Sequence, residues 1–290
     1  MTVDADFHHV CDSEPIHVPG SVQPHGTLLV LDPGLTVVAA SENCSSMFGA
    51  TASTLLGQTA AGVLGEDGAR RLRDALSRPA SGPARFPMKA SDGRTVDACI
   101  HRDAERILID FEPWEPINDQ AVGKLRTATA GIPELRGAPD PESLADAAAK
   151  LVRSVTGYDR VLVYRFDEDW NGAVIAESRT DSVPPYLGLS FPASDIPVQA
   201  RELYRKTEVR HIPDATYAPV PVRSAEGPVD IGISALRSVS PYHLEYMRNM
   251  GVRASLVGSV MRGDRLWDSS RAITCKARGA TPDPSAMCSI

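Results

Sequence analysis

Short apolar runs separated by turn residues dominate the chain from Gly26 to about Glu115. Thr27–Leu31 and Thr36–Ala40 read as strands on either side of the turn Asp32-Pro33-Gly34. Glu66–Leu76 has helical spacing, although Gly68 weakens it. Arg85–Lys89, Thr95–His101 and Arg106–Phe111 read as further strands, with Asp92-Gly93 as a hairpin signal. That order predicts a small α+β sensor-type domain. Residues 1 to about 24 have weak periodicity and predict an ordered but irregular arm.

Pro113–Asn118 (PWEPIN) marks a boundary. A long helical segment follows from about Asp119, then a well-signalled helix over Pro141–Thr156 with Asp140 as its N-cap. Arg160–Phe166 is rich in β-branched residues and predicts a strand paired with Gly172–Ser178. Ile196–Lys206 is amphipathic and predicts a helix, whereas Ile212–Gly232 is Pro-rich and predicts no element. Loops of that length within a domain tend to be functional. No internal repeat or low-complexity tract interrupts the chain.

The stretch Leu236–Ser255, LRSVSPYHLEYMRNMGVRAS, holds a helix with readable ends. Ser240 is a good N-cap, Pro241 fits the first helical position, and Gly251 fits a left-handed residue just past the end. His243, Tyr246, Met247 and Met250 then share one face, with Glu245, Arg248 and Asn249 pointing elsewhere. A core helix ordinarily turns Leu and Val inward. An imidazole, a phenol and two thioethers make this face read as a pocket wall for a flat, partly polar ligand.

Composition sets the class. The 290 residues suit about two domains of ~150 each, and 42% hydrophobic with 23% charged residues is ordinary for a soluble globular chain. No apolar run approaches the ~18 residues that span a bilayer, and the N-terminus lacks a signal-peptide pattern. The five cysteines are scattered and odd in number, which suits free thiols in a reducing cytoplasm; Cys44 and Cys99 read as small buried apolar residues. A net charge of −7 argues against nucleic acid or an anionic membrane as partner. The expectation is a cytoplasmic two-domain protein.

Four features stand out together: Cys11 in the arm HHVCDSEPIHVPGSVQPHG, the run Phe191–Pro197 (FPASDIP), Arg210 and Arg237 bracketing the proline-rich segment, and the His243/Tyr246 helix. Together they resemble the bacterial phytochromes, photoreceptors that bind a linear tetrapyrrole. The resemblance runs from about residue 8 to Trp267. It implies an α+β architecture in which a PAS domain (25–116) precedes a GAF domain (117–267), each an antiparallel sheet with flanking helices. It also implies an N-terminal arm (1–24) threaded through a GAF insertion within 210–237, a figure-of-eight knot of a kind rare among folds.

The resemblance also implies roles for single residues. Arg210 and Arg237 match the clamps on the two propionates of biliverdin, which the guanidinium fork suits, with Tyr204, Ser240 and Ser255 as lesser donors. The backbone carbonyl of Asp195 accepts from pyrrole N–H groups, with His243 close by through a shared water, and Ile196 and Pro197 belong to the same run. Tyr164, Phe191 and Tyr246 match the aromatic wall around the ring that rotates on illumination. Cys11 matches the thiol that joins the vinyl side chain as a thioether. Taken singly, each has an ordinary reading: an incidental thiol, a core histidine, surface arginines, a core tyrosine. The joint pattern across separate stretches favours the bilin. His8, His9, Cys11 and His17 raise a metal site, but zinc sites carry tighter paired spacing with a second pair downstream, so no metal is expected. A thiol hydrolase lacks an oxyanion-hole motif.

Two departures from the family pattern matter. Val257 stands where a propionate-facing hydroxyl is usual, a loss of at most one hydrogen bond, ~1 kcal/mol. After Trp267 the family continues with a strand reading roughly GLIACHH, which supplies a second pocket histidine; here the tail (268–290) reads DSSRAITCKARGATPDPSAMCSI, with Ile273 in that histidine's register. One base inserted after the Trp267 codon restores, with permitted codons, WGLIACHHLQGPR, so the tail reads as a one-base frameshift, in nature or in the record; a genuine alternative C-terminus is the other explanation. Arg, Lys and Pro in the tail predict no strand there, hence an incomplete GAF sheet with an exposed edge. The PHY domain, the closing GAF helix and the kinase output of the family are then absent. No enzymatic activity is expected, bilin binding is expected to be weakened with an impaired photocycle, and a homodimer through GAF helices is expected to be weakened too. The alternatives are a folding-compromised remnant without light response and a GAF module for another small anion such as a cyclic nucleotide.

Overall fold

The computed structural model describes residues 14–78, 82–103, 105–114, 116–193, 196–207, 209–262, 265–266 and 273–276. The chain divides into two units, one made of Pro15–Glu115 and Tyr217–Ser240, the other of the remaining residues. The first opens with strands β1 (Ser21–Val22), β2 (Thr27–Leu31) and β3 (Val37–Ser41), a 3₁₀ turn at Glu42–Cys44, and helices α1 (Ser45–Phe48), α2 (Ala52–Leu55) and α3 (Ala60–Leu76). Strands β4 (Ala84–Lys89), β5 (Thr95–Arg102) and β6 (Ile107–Pro113) follow. The second unit contributes helices α4 (Asp119–Gly137) and α5 (Pro141–Thr156), strands β7 (Arg160–Phe166), β8 (Gly172–Arg179) and β9 (Ser190–Phe191), helix α6 (Val198–Lys206) and strand β10 (Val209–Ile212). Strand β11 (Val220–Ser224) belongs to the first unit; α7 (Pro241–Asn249), β12 (Ser255–Gly258), β13 (Met261–Arg262), β14 (Arg265–Leu266) and β15 (Ile273–Lys276) belong to the second.

In the first unit the sheet order is β1-β11-β3-β2-β6-β5-β4, antiparallel at every pairing. The sequence TLLVL of β2 shows no alternation because both faces of the strand are covered and all its residues are buried. On one face Leu29, Leu31, Ile109 and Phe111 pack with Leu55, Leu64 and Leu72 of the helices. On the other, Leu28, Val30 and Leu108 pack with Val229, Ile231 and Leu236. The predicted start of α3 at Glu66 reflects a real break: Gly65 has φ 70°, and a first limb capped by Thr59 precedes it.

The Pro-rich segment corrects one expectation. It was expected to hold no element, yet Val220–Ser224 pairs with β1 and β3 as an internal strand of this sheet. Ile16–Gln23 is flanked by both limbs of the segment. Val222 N donates to Gly20 O at 2.9 Å on one side; Ile231 N donates to His17 O at 2.9 Å and Gln23 N to Leu236 O at 2.7 Å on the other.

In the second unit α5 has the ends its sequence announces. Asp140 accepts from Ser143 N at 2.7 Å, Pro141 opens the helix, and Gly157 closes it at φ 73°. Ala145 and Ala149 of α5 pack on Val161, Val163 and Ala176 of the sheet β15-β7-β8-β9. The tail corrects a second expectation. Ile273–Lys276 pairs antiparallel with β7, Ile273 opposite Val163 and Lys276 opposite Arg160, so that edge of β7 is covered. A ladder satisfies backbone N–H and C=O groups whatever the side chains, so the polar composition of the tail did not bar it.

Candidate functional site

Backbone register decides which predicted residues meet. On β7, Arg160, Leu162, Tyr164 and Phe166 point to the face away from α5. A bulge between Val163 and Tyr164 lets Ile175 and Ala176 both join the α5 side, while Val174 turns to the opposite face with Leu162 and Tyr186. Tyr164, Phe191 and Met250 pack against that cluster. The ring of Tyr164 lies 5.0 Å edge-on from Phe166 and 5.8 Å from Phe191. It rests on Gly172, where a Cβ would come within 1.8 Å of its Cζ. Glycine is therefore required for the Tyr164 ring to lie this close to the backbone of β8.

The segment of helix α7 reaches the same cluster through Met250. It starts at Pro241 as predicted, and a Schellman closure ends it: Gly251 (φ 62°) donates to Arg248 O at 2.9 Å, and Val252 N to Met247 O at 2.7 Å. Tyr246 and Met247 are buried, His243 and Met250 half-buried, and Glu245, Arg248 and Asn249 exposed, as the spacing predicted. Leu244 is buried too, which the spacing did not predict. The imidazole of His243 stacks on Tyr246 at 6.0 Å with 26° between the planes.

Arg210 lies on β10 opposite Val257 of β12, and Ile212 lies opposite Ser255. Opposed residues share a face and side chains alternate, so Arg210, Val257 and Ser255 stand on one face. Arg210 is 9% exposed and Ser255 6%. His211 takes the other face, where its Nε2 is 3.3 Å from Tyr158 Oη. Tyr204 is half-buried on α6, which begins at Val198; Ile196 and Pro197, expected inside that helix, precede it, with Pro197 at the cap. Cys11 and Asp195 lie outside the described residues.

The other predicted clamp, Arg237, belongs with Ser240 to the first unit. Arg237 is 8% exposed and donates through Nη1 to Ile16 O at 2.8 Å. Its loop is pinned by a residue that the sequence reading passed over. Asp110 on β6, with a fully buried side chain, accepts from Ser234 Oγ at 2.7 Å and Ala235 N at 2.7 Å, and pairs with His101 Nε2 at 3.1 Å. Burial alone would keep His101 neutral. The hydrogen bond to Asp110, helped by Cys99 Sγ at 3.4 Å and by the carboxylate's charge, pushes its pKa up to about 10. Cys99 is thus buried as expected but is not merely apolar. The thiol of Cys44 is buried as well, and burial raises its pKa.

A second unforeseen network lies on the same face of β7 and β8 as Tyr164, since Glu177 stands opposite Leu162. The side chains of Arg160 and Glu177 are each 4% exposed and approach at 3.1 Å, with Arg179 4.0 Å from the same carboxylate. Glu177 Oε2 accepts from Tyr186 N at 2.9 Å and Leu187 N at 3.1 Å, Arg160 also donates to Pro184 O, and its guanidinium sits 3.5 Å over the Tyr186 ring. The arginine that opens the strand RVLVYRF and the aspartate in the middle of ILIDFEP were the signals available for the two networks.

Residues 11–114 match the family model described as PAS fold, and residues 140–267 the one described as GAF domain. The chain is 43% identical over 272 residues to a bacteriophytochrome of Xanthomonas campestris and 39% identical over 270 residues to cyanobacterial phytochrome B of Nostoc. Each match takes in 89% of this chain but only 42% and 36% of the relatives, so the chain spans about two fifths of their length. The structure resembles the chromophore-binding domain of Stigmatella aurantiaca phytochrome P1, with a TM-score of 0.80 and 41% identity over 96% of this chain and 94% of that one. It also resembles the chromophore-binding domain of a bacteriophytochrome from R. palustris, with a TM-score of 0.81 and 38% identity over 94% and 90% of the two chains. No helix among the described residues is long and apolar enough to cross a membrane. The chain belongs to the phytochrome family and spans that family's PAS and GAF portion.

Proposed function

We propose that this chain captures biliverdin, a linear tetrapyrrole, and is the light-absorbing part of a red/far-red photoreceptor. The observation that carries the reading is the second unit's combination of a nearly buried guanidinium and hydroxyl on one face, Arg210 and Ser255, with an aromatic floor where Tyr164 lies against Gly172. The floor suits a planar conjugated ring, and the guanidinium suits a carboxylate. When bound, the bilin supplies visible absorption and a double bond that isomerises on illumination. Arg210, with Ser255 and Tyr204, holds one propionate; Arg237, with Ser240, holds the other. Tyr164, Phe191 and Tyr246 enclose the ring that turns, while His243 and the carbonyl of Asp195 satisfy pyrrole N–H groups alongside Ile196 and Pro197. Cys11 adds its thiol across the vinyl double bond: a C–S bond forms, the thiol hydrogen goes to the other vinyl carbon, and no oxidant is consumed. The same reading takes the arm as threaded through the 217–240 loop, which the hydrogen bonds from both limbs to Ile16–Gln23 support.

The test is co-expression with a biliverdin source, followed by a denaturing gel with zinc-induced fluorescence. The wild-type chain is expected to give a fluorescent band and Cys11→Ala to lose it. A wild-type chain that stays colourless refutes the reading, and a coloured Cys11→Ala band on the denaturing gel refutes the attachment site.

A further inference from the structure

We propose that Asp110, a strand residue of the PAS sheet, is a positioning residue for bilin capture: it fixes the loop that presents Arg237. The inference rests on the bilin reading above. Val229, Ile231 and Leu236 cover the sheet face formed by Leu28, Val30 and Leu108, which holds the loop to the sheet. Apolar burial is non-directional, so by itself it leaves the loop free to slide along the strands. Asp110 lies on that same face, opposite Leu28 and Cys99 in register. Its carboxylate is buried completely, a costly placement for a charge unless it is paired and hydrogen-bonded. Here Oδ1 takes the Ser234 hydroxyl and Oδ2 takes Ala235 N and His101 Nε2. A shift of the loop by one residue would break the bonds to Ser234 and Ala235 together.

The bonds lead directly to Arg237. Ser234 Oγ, while donating to Asp110, accepts from Leu236 N at 3.1 Å, and Ser234 O accepts from Arg237 N at 3.4 Å. Gln23, fully buried, fixes the far side by donating N to Leu236 O at 2.7 Å and Nε2 to Ala235 O at 3.4 Å. Arg237 follows two residues after Ala235 on a backbone held from both sides. Asp110 acts through Arg237, so its effect must depend on the ligand's carboxylates.

Biliverdin and biliverdin dimethyl ester, whose propionates are uncharged, are titrated into the full chain carrying Cys11→Ala, so that binding is reversible. Asp110→Asn is expected to weaken biliverdin about tenfold, the effect of one charge-assisted hydrogen bond. It is expected to leave the diester unchanged and to add nothing to Arg237→Ala. A folded Asp110→Asn chain with parental affinity, or one that loses both ligands equally, overturns the proposal. If Asp110→Asn does not fold, Ser234→Ala, which keeps the carboxylate and His101, takes its place: a loss confined to biliverdin supports the proposal, and no loss or an equal loss overturns it. A parent that binds neither ligand defeats the bilin reading and the positioning role with it. A parent that binds both while the Asp110 comparison fails defeats only the positioning role.

Discussion

Glu177→Gln isolates the buried charge network. The substitution keeps the side chain's shape and removes its charge. It leaves Arg160, with a side chain 4% exposed, without its ionised partner at 3.1 Å. It also leaves a single amide oxygen for the Tyr186 and Leu187 N–H groups that now share one carboxylate oxygen. Breaking one side of a buried pair costs about 3–5 kcal/mol, because the surviving charge stays buried uncompensated. At roughly 2–4 °C per kcal/mol, that is a fall in Tm on the order of 10 °C. The control is Arg165→Gln, whose pair with Glu142 at 3.2 Å has side chains 43% and 61% exposed. Solvent screening holds such a pair to about 1 kcal/mol or less. Chemical and thermal denaturation measure both variants. Near-UV circular dichroism adds a readout of the site, since Tyr186 packs with Tyr164, Phe191 and Met250 and its loop hangs on Glu177. Equal costs for Glu177→Gln and Arg165→Gln would refute the argument, because burial would then have failed to amplify the charge loss.

Two further outcomes follow from the same geometry. Gly172→Ala places a methyl group where the Tyr164 ring lies and is expected to cost about 1–3 kcal/mol by overpacking; it should also shift the absorption band of the bilin-loaded chain, and an unchanged melt and spectrum would show that the ring does not rest there. The folded pKa of His101, about 10, lies above the ordinary 6.5, so its stabilisation is complete below about pH 6.5 and is lost as pH rises toward 10. One proton's linkage gives a slope approaching 1.4 kcal/mol per pH unit over that window. Urea denaturation across it should fall more steeply for wild type than for His101→Gln, and parallel curves would show that the imidazole is uncharged in the fold.

The sequence was most legible where a segment carries its own instructions. Helix α5 was placed to the residue because Asp140, Pro141 and Gly157 state its ends, and α7 because Pro241 and Gly251 do the same. Strand β2 was likewise self-evident. What escaped depends on distant partners. Strand β11 reads as loop because Pro219 precedes it and Pro221 interrupts it, yet it finds its ladder with β1 and β3, far away in sequence. Asp110 reads as one polar residue in an apolar strand, and its partner Ser234 lies 124 residues further on. Within the site, the sequence named Arg210 and Ser255, but only the β10–β12 register puts them on one face. Asp110 and Glu177 went unnamed because each contacts what holds the site rather than the site itself.

The tail separates two properties that a family strand normally supplies together. Ile273–Lys276 covers the edge of β7 with an antiparallel ladder, and a ladder asks only for backbone groups in register. Edge closure and the stability it brings are therefore compatible with an unrelated sequence, which is why composition misjudged this segment. Chemistry is not so tolerant. The family resemblance places a histidine in the register that Ile273 fills, opposite Val163. A histidine can donate to a carbonyl oxygen of the ligand; an isoleucine carries no donor in any rotamer. A GAF sheet whose edge this tail pairs thus keeps its backbone ladder and still brings no side-chain donor at that position for the bilin proposed above. Stability measurements alone will not register that loss.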